Sequence, residues 1–220
     1  MSESDSFLDE VREEVRRDRL YGYVRKYGWI AVTVVIVAVG TTAFFEYREV
    51  VSRQASEERG ERILLALEAG DEANRAKALS DLIADGGPAR AIIGLRSAAE
   101  YVAAGQVDQA VGILEMLADD SEIGSLYRDL AAFKVLILKG NLLEANDRLS
   151  ALDRFARPGS PFRPLALEQR AVVHIERGER EKALTELVAL LDEPGVTDAL
   201  RSRVRRGIVA LGGEVDGLVF

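Results

Sequence analysis

The longest apolar run of the chain comes early, where nineteen residues from Tyr27 to Phe45 contain no charged side chain. A helix of that length spans roughly 28 Å, close to the ~30 Å hydrocarbon thickness of a bilayer. A strand of that length would far exceed the usual size of about 3–10 residues. A cleaved signal peptide begins with a short basic segment, whereas 26 mostly polar residues precede this run. The pattern therefore predicts a retained transmembrane helix at 27–45.

Residues on both sides of the predicted span are typical of a membrane interface. Tyr27 and Trp29 lie at one end and Phe44, Phe45 and Tyr47 at the other, as in the aromatic belts at headgroup level. Six Lys/Arg precede the span, and four occur in the first twenty residues after it. Because positive residues favour the cytoplasmic side, we expect a cytoplasmic N-terminus and residues 46–220 in the periplasm of a bacterium with two membranes.

The segment 1–26 is predicted to be an amphipathic cytoplasmic tail. Ser6 and Asp9 form a loose capping pattern, and Phe7, Val11 and Val15 follow at helical spacing. Such a helix serves either as a charged anchor at the membrane surface or as a docking helix for a cytoplasmic partner. The sequence leaves both interpretations open.

A repeat runs through residues 46–220 and is most visible in four glycines, Gly70, Gly105, Gly140 and Gly178, which are separated by 35, 35 and 38 residues. Leucines stand nine and twelve residues after each glycine, and an alanine stands five residues after the last three. The leucines are Leu79, Leu82, Leu114, Leu117, Leu149, Leu152, Leu187 and Leu190, and the alanines are Ala110, Ala145 and Ala183. We expect each glycine to end a helix in a left-handed turn and each alanine to permit a close crossing of the next helix.

The repeat predicts an all-α fold with about four helical pairs after the transmembrane helix, and no segment after the span is typical of a strand. The Pro/Gly-rich stretch at 157–164 accommodates the longer last spacing as a loop. The predicted helices are 50–69, 72–84, 88–104, 107–118, 123–139, 142–155, 163–177, 180–192 and 197–211.

This pattern resembles tetratricopeptide repeats, in which a helical pair carries a small residue, an aromatic residue, a glycine turn, an alanine and later apolar residues. The best match is formed by Ala98, Tyr101, Gly105, Ala110, Leu114 and Leu117. Elsewhere the pattern departs: Arg75 and Phe133 occupy small positions, and His174 occupies the aromatic position. The first pair is consistent with a cap of the array.

A short tail, one span and a degenerate tetratricopeptide-like domain together resemble the YfgM-like family of bacterial inner-membrane proteins. The resemblance covers nearly the whole chain. It implies an ancillary subunit of the Sec translocon that contacts exported polypeptides and passes them to periplasmic chaperones. The alternative is a tetratricopeptide scaffold for another cell-envelope assembly complex that is not linked to Sec.

The amino-acid composition restricts the partners and the types of site that are expected of the chain. The chain has a net charge of −8, which disfavours nucleic acid as a partner, because binding there requires positive charge against phosphates. It contains no cysteine and one histidine, so any triad would centre on His174, which we interpret as a packed core residue. The acidic segment 118–124 lacks the alternating ligands of a calcium loop and is interpreted as a turn with a helix cap. We therefore expect no enzyme activity, cofactor or metal site.

Binding is instead predicted on the concave surface that the first helix of each pair lines in tetratricopeptide arrays. Counting back from the glycines gives Ile92, Leu95, Ala99 and Val102; Tyr127, Leu130, Lys134 and Ile137; and Leu165, Glu168, Val172 and Ile175. An exposed face this apolar is typical of an interaction site, so the hypothesis is a groove for an extended apolar peptide or a partner helix. The alternative is that the last helix covers these side chains as ordinary core.

Overall fold

The computed structural model describes Thr41 and residues 44–214, and these residues form helices and connecting turns with no strand. The predicted all-α fold is therefore confirmed for this part of the chain. The helices are α1 (44–67), α2 (Glu72–Asp81), α3 (Arg90–Ala103), α4 (Val107–Asp119), α5 (Ser125–Leu138), α6 (Ala145–Phe155), α7 (Arg163–Glu176), α8 (Arg180–Leu191) and α9 (Asp198–Ala210). Two short 3-10 helices, Gly87–Ala89 and Gly140–Leu142, precede α3 and follow α5. Each predicted helix is present, and most ends differ by a few residues.

The chain divides into two compact units, Met1–Glu61 and Arg62–Phe220. In the described part of the first unit, residues 44–61 are helical and almost entirely exposed. None of the helices within 44–214 combines the length and the apolar character required to cross a bilayer. The predicted tail at 1–26 lies outside the described residues, as does the predicted span at 27–45 except for Thr41, Phe44 and Phe45.

The second unit is built from helices that pack against their neighbours in the chain, from α2 through α9. Its apolar residues form four clusters along the unit. One contains the fully buried Leu79, a second Leu114 and Leu117, a third Phe133 and Leu152, and a fourth Leu190 with Val204 and Ile208. Six of the eight repeat leucines are buried, while Leu82 and Leu149 are half-buried. The core is thus distributed along successive hairpins, as the leucine spacing predicts.

The turns at Gly105 and Gly178 confirm the predicted role of glycine as a helix stop. Both have φ of 73°, a left-handed conformation that side chains disfavour. Five residues further on, Ala110 and Ala183 are completely buried, so the following helix lies close to the preceding one. The same local sequence therefore produces the same hairpin in α3–α4 and in α7–α8.

Gly140 does not follow this rule, and the predicted left-handed turn there is wrong. Gly140 begins a 3-10 helix and is buried, and its φ is not positive. A Cβ at this position would lie 3.1 Å from Nε of Arg148. Arg148 is itself buried and donates to Glu176 of α7 at 2.6 Å. A side chain at position 140 would therefore crowd the guanidinium group of Arg148, which would have to shift by a few tenths of an ångström.

The expected close crossing at Ala145 is also absent. Helices α5 and α6 pack less closely against each other than the α3–α4 and α7–α8 pairs do. Phe133, which stands where the repeat has a small residue, fills the space between them. Its ring lies 5.1 Å from that of Phe155 and 5.8 Å from that of Phe162. These distances are typical of favourable aromatic pairs. Three phenylalanines therefore replace the helix–helix contact that an alanine provides elsewhere.

Each helical pair is also joined by an ion pair between its first helix and the end of its second. The pairs are Arg62–Asp85 at 3.4 Å, Arg90–Asp120 at 2.7 Å, Asp129–Arg154 at 2.9 Å and Arg163–Glu193 at 2.6 Å. The second and fourth of these pairs are half-buried, and in the third pair Asp129 is half-buried and Arg154 is exposed. The first pair is exposed and contributes little to stability. This feature recurs with the hairpins and was not visible in the sequence pattern.

Candidate functional site

An open cavity of about 230 Å³ lies between α3 and α5. Its walls come from these two first helices of neighbouring pairs, and its floor is a side chain of α4. The lining residues are Leu95, Ala98, Ala99, Val102, Leu114, Lys134, Ile137 and Leu138. Seven of these eight residues are apolar, so the cavity is suited to apolar side chains of a ligand.

Helical periodicity explains how α3 and α5 present this surface. Leu95, Ala99 and Val102 are separated by four and three residues and therefore lie on one face of α3. Lys134 and Ile137 are three residues apart and lie on one face of α5. Leu114 of α4 is 1% exposed and closes the bottom of the cavity, because α4 packs against both α3 and α5.

The structure brings five of the twelve predicted groove residues together in this cavity. They are Leu95, Ala99, Val102, Lys134 and Ile137. Val102 and Ile137 are 40% and 43% exposed, so the apolar rim is open to solvent in the described part of the chain. None of the twelve predicted residues is buried. Their exposure leaves this surface available to a partner.

The other seven predicted residues lie apart from the cavity. Tyr127 lines a second, more polar cavity of about 290 Å³ beside Arg90 and Glu122. Leu130 packs against the phenylalanine cluster, and Glu168 is half-buried. The remaining four are Ile92, Leu165 and Ile175, which are exposed, and Val172, which is half-buried. The predicted groove is therefore not one continuous lined cavity over all three helices.

The alternative that α9 covers the predicted surface holds at one position. Arg203 of α9 donates to Oε2 of Glu168 at 2.7 Å, so α9 reaches the third helix of the predicted face. The hydrogen bond raises the pKa of Arg203, which keeps its guanidinium charged. Leu165 and Ile175 nevertheless remain exposed, as do Val102 and Ile137. The last helix thus neutralises one carboxylate without burying the apolar side chains around it.

His174 is buried and hydrogen-bonded, as its position in the repeat predicts. Its Nδ1 lies 2.7 Å from Oε2 of Glu179, a distance at which the ring N–H donates to the carboxylate. Its Nε2 lies 3.7 Å from Oε1 of Glu186, which also accepts from Arg170 at 2.7 Å. The hydrogen bond from His174 lowers the pKa of Glu179. The imidazole therefore joins α7 to the start of α8.

The acidic segment 118–124 forms a turn that is held by its own ion pair. Asp120 accepts from Nη1 of Arg90 at 2.7 Å and from the backbone N–H of Glu122 at 2.9 Å. The hydrogen bond from Arg90 lowers the pKa of Asp120. The following helix, α5, begins after Gly124 without a side-chain cap, so the cap predicted here is not found. In the described ranges, no group of three or more His, Asp or Glu side chains is arranged to hold a metal ion.

Three residues that line the cavity were missed by the counting argument. Ala98 lies three residues after Leu95, and Leu138 lies four residues after Lys134, so both follow from the same helical spacing. Leu114 was assigned to the seal between paired helices, and it forms the cavity floor as well. Helical spacing could have supplied the first two residues, whereas the third required the packing of α4.

Comparison of the chain with protein-family models, with curated proteins and with solved structures finds no match.

Proposed function

We propose that this chain is a membrane-anchored protein-interaction module that binds apolar polypeptide segments in the cavity between α3 and α5. The observation that carries the proposal is an open cavity with seven apolar residues among its eight lining residues. Exposed apolar surface costs free energy in water, about 25 cal/mol for each Å² that a partner would cover. A surface rimmed by Val102 and Ile137 therefore favours association with an apolar chain.

The helical arrangement supports a tetratricopeptide-like α-solenoid of about four pairs. In α3–α4 and α7–α8, a left-handed glycine is followed by a buried alanine at the same spacing. Tetratricopeptide arrays bind peptides on the face formed by the first helix of each pair, and α3 and α5 are such helices. The cavity thus lies where an array of this kind presents its ligand surface.

We place the chain in the bacterial inner membrane as a single-pass protein, with a cytoplasmic N-terminus and a periplasmic C-terminal domain. The charge bias around residues 27–45 supports this orientation. Phe44, Phe45 and Tyr47 are 57%, 63% and 69% exposed, as expected of aromatic side chains that meet lipid headgroups. In this orientation, residues 46–220 meet polypeptides that leave the cytoplasm.

The resemblance to the YfgM-like family suggests which complex this interaction module belongs to. The proposed chain is an ancillary subunit of the Sec translocon that contacts exported polypeptides and links them to periplasmic chaperones. Crosslinking in native membranes followed by mass spectrometry tests this role. Recovery of translocon subunits is the expected result. Recovery of only cell-wall or outer-membrane assembly factors would instead identify a scaffold for another envelope complex.

The cavity itself is tested by charge introduction at its rim. Ile137→Asp and Val102→Asp replace exposed side chains, so the fold is expected to survive, as far-UV circular dichroism would verify. Val188→Asp is the matched control, because Val188 is 49% exposed on α8 and lines neither cavity. Binding of an unfolded apolar polypeptide should fall for the two rim variants and remain for Val188→Asp. Equal binding by all three variants would refute the cavity as the binding site.

A further inference from the structure

Lys134 is the one charged residue among the eight that line the cavity. It is half-buried on α5, on the wall that faces Leu95, Ala99 and Val102 of α3. A charge next to apolar walls loses part of its hydration, and this loss is offset only when a group of opposite charge or a hydrogen-bond acceptor is close. None of the other seven residues that line the cavity carries a carboxylate that could accept from Lys134.

No residue that the structure describes forms a hydrogen bond or an ion pair with the side chain of Lys134. Lys139, at the end of the same helix, differs in this respect, because it donates to Glu115 at 2.5 Å. Among the described residues, the lysine that lines the cavity is therefore unpaired, whereas the lysine outside the lining is paired.

We infer that the cavity binds an apolar polypeptide segment that carries an internal Asp or Glu side chain, and that this carboxylate pairs with Lys134. The inference rests on the proposed function and specifies its ligand. The apolar walls would exclude water around the pair, which strengthens a charge-assisted hydrogen bond relative to one in bulk water. Because the proposed clients are continuous chains in transit, the carboxylate belongs to a side chain and not to a chain terminus.

Three short fluorescent peptides distinguish the possible ligands. The first has apolar residues around one central Glu and an amidated C-terminus, and the second has Gln in place of that Glu. The third is the Gln peptide with a free C-terminal carboxylate. Fluorescence anisotropy measures their binding to the full-length chain in lipid nanodiscs. We expect the Glu peptide to bind about tenfold more tightly than both Gln peptides, the ratio typical of one charge-assisted hydrogen bond.

Substitution of the lysine identifies the group that is responsible. Lys134→Met keeps the aliphatic length and should bind the Glu and Gln peptides equally, while Lys134→Arg should retain the preference. Lys139→Met is the matched control, since Lys139 lies outside the lining and is paired with Glu115. Its preference for the Glu peptide should match that of the wild-type chain. Thermal unfolding by circular dichroism verifies that each variant is folded.

The binding results distinguish a failure of this inference from a failure of the proposed function. Equal binding of all peptides by the wild-type chain, or an unchanged preference in Lys134→Met, would overturn the carboxylate pairing. If Ile137→Asp still abolished binding in those cases, the apolar cavity would stand as the site. A preference for the free C-terminal carboxylate alone would also overturn the inference. Absence of binding by every peptide would reject the proposed function together with it.

Discussion

A single methyl group added at Gly94 tests the close packing of α3 on α4, on which the cavity floor depends. A Cβ built at Gly94 would lie 2.8 Å from Cδ1 and 3.0 Å from Cδ2 of Leu117. Leu117 is 1% exposed and belongs to the same buried cluster as Leu114. Since its side chain has no path to solvent, Gly94→Ala must separate the helices or force Leu117 from its rotamer.

The magnitude follows from comparison with a second glycine in a helix interior. Gly112 of α4 is exposed, and a Cβ there would meet no atom within 4 Å. Ala is favoured over Gly by about 1 kcal/mol within a helix, so Gly112→Ala should raise the free energy of unfolding by about that amount. Overpacking of a buried site typically costs about 1–3 kcal/mol. The propensity gain is common to both variants, so their difference isolates the packing cost at Gly94.

Urea unfolding of the unit Arg62–Phe220, followed by far-UV circular dichroism, measures both free energies. We expect Gly112→Ala to be more stable than the parent, and Gly94→Ala to be less stable than Gly112→Ala by about 1–3 kcal/mol. Equal stability of the two alanine variants would refute the reasoning, because it would mean that α3 and α4 have space for the methyl group.

Three further predictions concern the core, the acidic turn and the histidine. Phe133→Ala should lower the free energy of unfolding by about 3–5 kcal/mol in the same assay, while Leu126→Ala, at an exposed position, should change it by less than about 0.5 kcal/mol. NMR titration should place the pKa of Asp120 below the ordinary value of an aspartate, so the stability contributed by the ionised carboxylate is lost as the pH falls through that lowered pKa. Arg90→Gln should raise the pKa back towards the ordinary value, and an unchanged pKa would contradict the assigned cause. His174→Phe should retain peptide binding, and loss of binding in a folded variant would point to chemistry at the imidazole.

Local sequence was sufficient for the positions of the helices. Glycine at 105 and 178 stops a helix because only its missing side chain tolerates a φ of 73° at little cost. The buried Ala110 and Ala183 follow from the same spacing. These are short-range effects within one hairpin, so the repeat pattern predicts them without knowledge of the rest of the chain.

Helical periodicity, which is also a local property, predicted part of the cavity lining. Leu95, Ala99 and Val102 share a face because helical periodicity places residues three and four positions apart together. The resemblance to tetratricopeptide repeats indicated which face to expect as the binding surface. Its extension over α7 could not be predicted in this way. Whether a residue on the predicted face lines the cavity depends on side chains far away in the sequence, as Glu168 shows through its pairing with Arg203, 35 residues later.

Turn conformation and helical periodicity are local properties, so the sequence was enough to predict the successive helical hairpins of the described residues and the helix faces on which binding is proposed. The packing between helices was required to show that Gly140 lies against Arg148, that phenylalanine rings lie between α5 and α6, and that Leu114 closes the cavity. It also decided that Lys134 remains unpaired among the described residues while Lys139 is not. Each of these outcomes depends on distances between helices, which the packing of side chains from different repeats sets.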